Sequence, residues 1–222
     1  QSSAIITFTS KEPIDSRCLT TSKGPYAYCS LILCPHLRPS KRISSSEFVF
    51  LVDCSGSMSG RSIQKAGECL EFFIKSLPAD CYFNIIRFGS DFEPLFNSSE
   101  RYCQENVEKA IDLAQNLTAN LGGTELNEPL RYIFDAENPF GQRQVFILTD
   151  GEVWDRPSIF ELVRNHSNNN RCFTVGLGRS CDGGLVEGIA NASGGKCAFV
   201  HEGDLISQTI IPQLQSSLQP GL

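Results

Sequence analysis

The sequence lacks the features that would direct the chain to nucleic acid or into a membrane. No run of lysine and arginine is longer than two residues, and the formal net charge is −6. Binding to nucleic acid or to an anionic lipid surface requires a concentrated basic patch, so neither partner is expected. No apolar stretch approaches the ~20 residues that a membrane-spanning helix needs.

The sequence also lacks a Cys-x-x-Cys motif and clustered histidines. Its three histidines are far apart along the chain, so it offers no zinc ligand set. The ten cysteines show no spacing typical of a disulfide framework, and 222 residues can bury a large core without cross-links. We therefore expect reduced thiols and a cytoplasmic protein. Four Asn-x-Ser/Thr sequons keep secretion as the alternative.

What the sequence does contain is a buried strand that ends in a carboxylate. Residues 48–52 form an unbroken apolar run, typical of a central strand in a parallel sheet. Asp53 follows, and Ser55 and Ser57 stand at alternate positions beyond it, before a helical pattern that begins near residue 61. Three oxygens at positions i, i+2 and i+4 of a tight turn can converge on a hard cation such as Mg²⁺.

Two further segments supply oxygen ligands of the same kind. Residues 145–148 form a second buried apolar strand, which leads into Thr149, Asp150 and Gly151. Residues 121–125 form a glycine-rich loop that presents the hydroxyl of Thr124.

Together these segments resemble the metal-ion-dependent adhesion site of von Willebrand factor type A (VWA) domains. The resemblance covers residues 46–218 and fills every position of the motif with the family's residue types. These positions are Asp53, Ser55, Ser57, Thr124 and Asp150. The chain further resembles the branch in which the VWA domain follows a VIT (vault/inter-alpha-trypsin) domain. That likeness is carried by residues 47–53, 82–89, 122–125, 149–153 and 188–195.

The resemblance implies an α/β fold of the doubly wound, Rossmann-like type. We expect a mostly parallel six-stranded sheet with helices on both faces. The predicted strands are residues 47–52, 82–88, 93–96, 144–149, 171–177 and 197–200. The predicted helices are residues 61–77, 104–117, 127–136, 157–166, 183–192 and 204–218. The implied strand order sets the first strand beside the fourth, which makes Asp53 and Asp150 neighbours.

Residues 1–45 are expected to lie outside the VWA domain as an N-terminal lead-in. Strands are predicted at residues 4–8 and 26–33, followed by a linker at residues 35–42. In structure the segment is interpreted as added edge strands. In origin the resemblance implies the remnant of a preceding VIT domain.

The implied function is that of a protein–protein interaction module. In the family, a bound Mg²⁺ accepts an Asp or Glu carboxylate from a partner protein, with Mn²⁺ or Ca²⁺ as alternative ions. Ser55 and Ser57 would ligate the ion directly, and Asp53, Thr124 and Asp150 directly or through water. The two aspartates would repel each other without a cation. Other domains of the same polypeptide are expected as further partners.

Three residues beside the site are candidates for contact with a partner, and each has a simpler interpretation. Glu125 and Glu152 could be solvated flanks of the site. Trp154, the only tryptophan, is predicted to be a core residue, with contact to a partner as the alternative. Ser57 could instead cap the following helix. Cys54 lies between two ligands and is expected to pack away from the ion.

Two other classes of function stay open. One is a metal-independent structural scaffold within a larger multidomain protein, and the other is a metal-dependent phosphohydrolase. Six residues separate Cys54 from Arg61 where a cysteine phosphatase needs five, and no Gly-x-Gly-x-x-Gly follows the first strand. No histidine accompanies a serine or cysteine motif, so we expect no enzymatic activity.

Overall fold

The computed structural model describes residues 17–23, 26–32, 46–151, 153–178, 181–201 and 203–219, the first two ranges as backbone. The chain forms two compact units, residues 1–42 and 43–222. In the first unit, strands β1 (Arg17–Lys23) and β2 (Tyr26–Ile32) pair antiparallel with Lys23 opposite Tyr26. The strand predicted at residues 26–33 is confirmed, whereas β1 was not predicted because its sequence is largely polar. The strand predicted at residues 4–8 lies outside the described residues.

The second unit alternates strands with helices. Its strands are β3 (Glu47–Asp53), β4 (Tyr82–Phe88), β5 (Phe92–Pro94), β6 (Glu100–Arg101), β7 (Arg143–Thr149), β8 (Asn170–Leu177) and β9 (Cys197–Val200). Its helices are α1 (Arg61–Lys75), α2 (Gln104–Gln115), α3 (Asn127–Asp135), α4 (Arg156–Asn165), α5 (Gly183–Ser193) and α6 (Ile206–Ser217).

These strands form one mostly parallel sheet in the order β5-β4-β3-β7-β8-β9. The first and fourth predicted strands, which are β3 and β7, are neighbours as predicted. They pair parallel, and Val52 lies beside Leu148. Strand β5 is antiparallel to β4, as is β6, so the described sheet has seven strands where six were predicted. Strand β6 was missed because it has two residues, both exposed, and so carries no periodic pattern.

The sheet separates two apolar layers, and alternate residues of β3 enter opposite layers. Phe48 and Phe50 pack with residues of α1, α2 and α6. Val49 and Leu51 pack with residues of α3, α4 and α5. This covering of both faces leaves the ends of the strands as the accessible parts of the sheet. Among the described helices, none has both the length and the apolar character needed to cross a membrane.

A buried ion pair lies at the starting end of the central strands. Arg143 Nε is 2.7 Å from Glu47 Oε2, and both side chains are almost completely buried. Ser99 Oγ donates to the other Glu47 oxygen at 2.6 Å. The Arg143 guanidinium also donates to the backbone carbonyls of Ile133 and Ala136 at the end of α3. The network therefore joins β3, β7 and α3 at the edge opposite the candidate site.

Candidate functional site

The site begins at Asp53, the last residue of β3, which is completely buried. Asp53 Oδ1 accepts a hydrogen bond from the Ser55 backbone N–H at 2.9 Å. Asp53 Oδ2 accepts one from Thr149 Oγ1 at 2.5 Å. The first bond folds the chain back directly after the strand, and the second joins the strand to β7. The carboxylate is therefore fixed in orientation before any ligand arrives.

Burial raises the pKa of the Asp53 carboxyl group, and the negative charge of Asp150 acts in the same direction. Hydrogen bonds from Ser55 and Thr149 lower the pKa but do not reverse the shift. An ionised Asp53 is thus destabilised both by lost hydration and by its acidic neighbour. A cation placed between the two carboxylates would relieve both effects.

A chain of hydrogen bonds connects the first loop to the second aspartate. Ser55 Oγ lies 3.0 Å from Ser57 Oγ, and Ser57 Oγ donates to Asp150 Oδ1 at 2.9 Å. Ser55 is buried, whereas Ser57 is exposed. The hydroxyls of Ser55 and Ser57 therefore meet the Asp150 carboxylate at one point, although Asp150 lies 93 residues after Ser57 in the sequence.

The alternative role of Ser57 as a helix cap is wrong. Ser57 lies inside a single 3-10 turn, Gly56–Met58, and α1 begins later at Arg61 with Gly60 in the N-cap position. Gly60 holds φ +84°, a conformation that favours glycine. This break between the turn and the helix leaves the Ser57 hydroxyl directed at Asp150.

The loop that carries Thr124 is attached by its backbone to the loop after β3. Gly56 N–H donates to the Gly122 carbonyl at 2.7 Å, and Leu121 N–H donates to the Cys54 carbonyl at 3.0 Å. These two bonds bring Thr124 to the same pocket as Ser55.

The Thr124 loop is also attached to the loop after β4. Gly123 N–H donates to Ser90 Oγ at 2.7 Å, and Glu125 N–H donates to the Gly89 carbonyl at 2.7 Å. Gly122 has φ +80°, and a Cβ there would lie 2.8 Å from Ser90 Oγ. Since glycine alone satisfies both conditions, the Gly pair before Thr124 allows the close approach of the two loops.

These loops surround an open pocket of about 1030 Å³. Its wall consists of Ser55, Ser57, Gly122, Gly123, Thr124, Glu125, Asp150, Val153, Trp154, Arg156 and Pro157. The donors at its base are hydroxyls and carboxylates. Cys54, which stands between Asp53 and Ser55 in sequence, is completely buried in the apolar layer, so its side chain packs away from the pocket as expected. Within the described part of the chain, no three His, Cys, Asp or Glu side chains form a metal site by themselves. Here hydroxyls accompany two carboxylates, a donor set that suits a hard cation.

The candidate partner-contact residues have different positions. Glu125 is exposed on the pocket wall. Trp154 is 100% exposed on the same wall, so its prediction as a core residue is wrong. It lies in the connection between β7 and α4, and the buried residues that α4 contributes to the core are Ile159, Leu162 and Val163. Glu152 lies outside the described residues.

Sequence reasoning assigned no role to Thr149 or Ser90. Thr149 Oγ1 donates to Asp53 and accepts from the Gly151 N–H at 2.9 Å. Ser90 supports the Thr124 loop through Gly123. The contact of Thr149 could have been predicted from the strand order. Thr149 ends the strand beside the one that Asp53 ends, so the two residues must be neighbours. The signal for Ser90 was absent, because its contact depends on a loop 33 residues away.

The comparisons with known proteins agree with this geometry. A family model for the von Willebrand factor type A domain matches residues 46–199. The chain therefore belongs to the VWA family, whose members are generally protein-interaction modules rather than enzymes. Human von Willebrand factor A domain-containing protein 5A is 40% identical over 196 residues, which is 84% of this chain and 25% of that protein. The chain spans between 16% and 25% of the length of the curated relatives it matches.

Solved structures show the same fold. A VWA protein from Catenulispora acidiphila has a TM-score of 0.66 at 21% identity and covers 74% of this chain and 41% of its own. Proximal thread matrix protein 1 from the mussel byssus, solved with a zinc occupied MIDAS motif, has a TM-score of 0.58 at 16% identity. That alignment covers 78% of this chain and 48% of the mussel chain.

Proposed function

We propose that this domain holds a divalent cation, Mg²⁺ under cellular conditions, and through it binds a carboxylate of a partner protein. The observation that carries the proposal is the hydrogen-bonded network of Asp53, Ser55, Ser57 and Asp150, the last three of which line one open pocket. Mn²⁺ and Ca²⁺ are further candidates because they take the same oxygen ligands. The mussel protein, which shares this fold and was solved with a zinc occupied MIDAS motif, supports the proposal.

Each residue has a defined part in this proposal. Ser55 and Ser57 offer hydroxyl oxygens as direct ligands, and Thr124 offers a third from the facing loop. Asp53 and Asp150 match the two positive charges of the ion, directly or through water. The bound ion would act as the Lewis acid that accepts a carboxylate of the partner. Because the two aspartates consume the ion's formal charge, a partner anion adds to a nearly neutral centre.

The cation can be tested by titrating the chain with Mg²⁺, Mn²⁺ and Ca²⁺ in a calorimeter. We expect one site for the unaltered chain and a loss of roughly tenfold or more in affinity for Asp53→Asn and for Ser57→Ala. Asp112→Asn and Ser76→Ala are matched controls, because Asp112 on α2 and Ser76 directly after α1 are exposed and do not line the pocket. Absence of cation uptake, or equal uptake by Ser57→Ala, would overturn the metal site.

The carboxylate can be tested with short fluorescent peptides that carry one central Asp, or Asn instead, in a Gly/Ser background. We expect the Asp peptide to bind in Mg²⁺ and to be released by EDTA, and the Asn peptide to bind weakly in both. If the two peptides bind equally well, in Mg²⁺ and in EDTA alike, the proposed carboxylate binding is wrong. The metal-independent scaffold is then the better interpretation.

We also infer that the intact protein is cytoplasmic and that a VIT domain precedes the VWA domain. The seven cysteines whose side chains the structure describes are free thiols, which supports a reducing compartment. The sequence likeness to the VIT-associated branch supports the architecture. The full-length reading frame tests both inferences, and a signal peptide or an unrelated upstream domain would contradict them.

A further inference from the structure

Among the described residues of the pocket wall, one acidic side chain has no counter-charge. Under the proposed function, Asp53 and Asp150 are matched by the divalent ion. Arg156 is on the pocket wall, but its Nη2 lies 2.5 Å from Asp182 Oδ2, so that charge is also matched. Glu125 remains. A partner carboxylate entering the pocket would bring a second negative charge close to it.

Glu125 is held at the pocket by its backbone rather than by its side chain. Its N–H donates to the Gly89 carbonyl at 2.7 Å, and its side chain is exposed. Among the described residues, no lysine, arginine or histidine nitrogen forms an ion pair with the Glu125 carboxylate. The carboxylate is therefore available to a cation supplied from outside the chain.

Trp154 adds a second recognition element on the same wall. Its side chain is 100% exposed, with Val153 and Pro157 lining the pocket nearby. An indole face attracts arginine and lysine side chains through its quadrupole, and tryptophan gives the strongest interaction of this type. Tryptophan is a frequent centre of binding energy at protein interfaces.

We propose that the partner segment carries an arginine or lysine within a few residues of the carboxylate that enters the pocket. The basic side chain would pack on the Trp154 indole and offset the charge of Glu125. This inference rests on the proposed function and narrows its partner. The ligand is an acidic residue with a basic neighbour, in contrast to a purely acidic stretch, which Glu125 would repel.

The experiment uses a set of the Asp-centred peptides in which Arg, Gln, Leu or Asp occupies, in turn, each of the positions flanking the central Asp. Binding to the full chain is measured by fluorescence anisotropy in Mg²⁺. We expect at least one Arg peptide to bind roughly 3- to 30-fold more tightly than its Gln counterpart. The Asp-flanked peptides should bind more weakly than the Gln peptides.

Variants of the chain assign the preference to the two residues. Trp154→Ala should remove most of the preference for Arg, and Trp154→Phe should restore part of it. Glu125→Gln should reduce the preference roughly two- to fivefold. Glu161→Gln, which alters an exposed residue of α4 away from the pocket, is the control and should leave the preference unchanged.

The outcomes separate this inference from the proposed function. Mg²⁺-dependent binding of Asp peptides with equal affinity for Arg, Gln and Leu neighbours would overturn the inference and leave the proposed function standing. A preference for Arg that survives in both Trp154→Ala and Glu125→Gln would also overturn it. If no Asp peptide binds in Mg²⁺, the proposed function fails and the inference fails with it.

Discussion

Thr149 Oγ1 donates a 2.5 Å hydrogen bond to Asp53 Oδ2, across the boundary between two neighbouring parallel strands. The same hydroxyl accepts from the Gly151 N–H and so also shapes the loop that carries Asp150. One side chain thus positions the two acidic loops relative to each other. Both groups are buried, which makes the contact sensitive to small changes.

Replacing Thr149 by valine tests this contact with little change of shape. The variant leaves Asp53 Oδ2 and the Gly151 N–H without their partner, and we expect a loss of about 1–3 kcal/mol in the free energy of unfolding. Urea denaturation followed by circular dichroism measures it. Thr149→Ser keeps the hydroxyl and should stay close to the unaltered chain. A valine variant as stable as the serine variant would contradict the positioning role.

The Glu47–Arg143 ion pair predicts a larger effect at the opposite edge of the sheet. Arg143→Met leaves the buried Glu47 carboxylate without its cation. It also leaves the Ala136 carbonyl at the end of α3 without the hydrogen bond that Arg143 donates. We expect a loss of about 3–5 kcal/mol, measured by the same denaturation experiment.

The matched control for this pair is Lys75→Met. Lys75 forms an ion pair of 2.6 Å with Glu71, but the lysine side chain is 57% exposed. Exposed ion pairs contribute about 1 kcal/mol or less to stability, so Lys75→Met should change the free energy of unfolding very little. Equal effects of the two substitutions would mean that the buried pair does not stabilise the fold.

Gly122→Ala should weaken cation binding by displacing the Thr124 loop. The added methyl would meet Ser90 Oγ at 2.8 Å, and φ at this position is +80°. We expect a loss of roughly 10- to 100-fold in Mg²⁺ affinity by calorimetry. Gly194→Ala is the control, since φ is +69° but no atom lies within 4 Å of the added methyl. Both variants should lose about 1–2 kcal/mol of stability, and only Gly122→Ala should lose metal.

Buried thiols predict a loss of stability at alkaline pH. Burial raises the pKa of Cys69, Cys81 and Cys172 to about 12, from an ordinary value of 9.0. Above pH 9 the unfolded chain releases these protons while the folded chain keeps them. Stability is therefore full below pH 9 and falls between pH 9 and about 12, by about 1.4 kcal/mol per pH unit for each thiol.

Denaturation at a series of pH values from below 9 upward checks this slope. Cys69→Ala should make it shallower by about 1.4 kcal/mol per pH unit. Cys103→Ala, at an exposed position, should leave it unchanged. A slope that is the same for both variants would contradict the assignment to buried thiols.

The sequence predicted the elements whose signals are local. The strand predicted at residues 47–52 is Glu47–Asp53, and the helix predicted at residues 104–117 is Gln104–Gln115. Asp155, directly before α4, caps this helix, because its side chain accepts from the Ser158 N–H at 3.2 Å. Apolar runs, caps and turn residues act over a few positions, so one sequence contains enough information to locate them.

The contacts that depend on tertiary packing could not be predicted in the same way. Glu47 and Arg143 are 96 residues apart and meet only because their strands are neighbours. Trp154 was predicted to be a core residue, yet its side chain is 100% exposed in the connection between β7 and α4. Whether a large aromatic is covered depends on the space its neighbours leave, and a local pattern does not contain that information.

The position of Trp154 also gives the protein an optical reporter of its own. The chain has one tryptophan and five tyrosines, and the tryptophan is already fully in water in the folded state. Unfolding should therefore barely change its emission wavelength, while a ligand that covers the indole should shift the emission towards the blue. Tryptophan fluorescence would then report whether the pocket is filled, independently of whether the domain is folded.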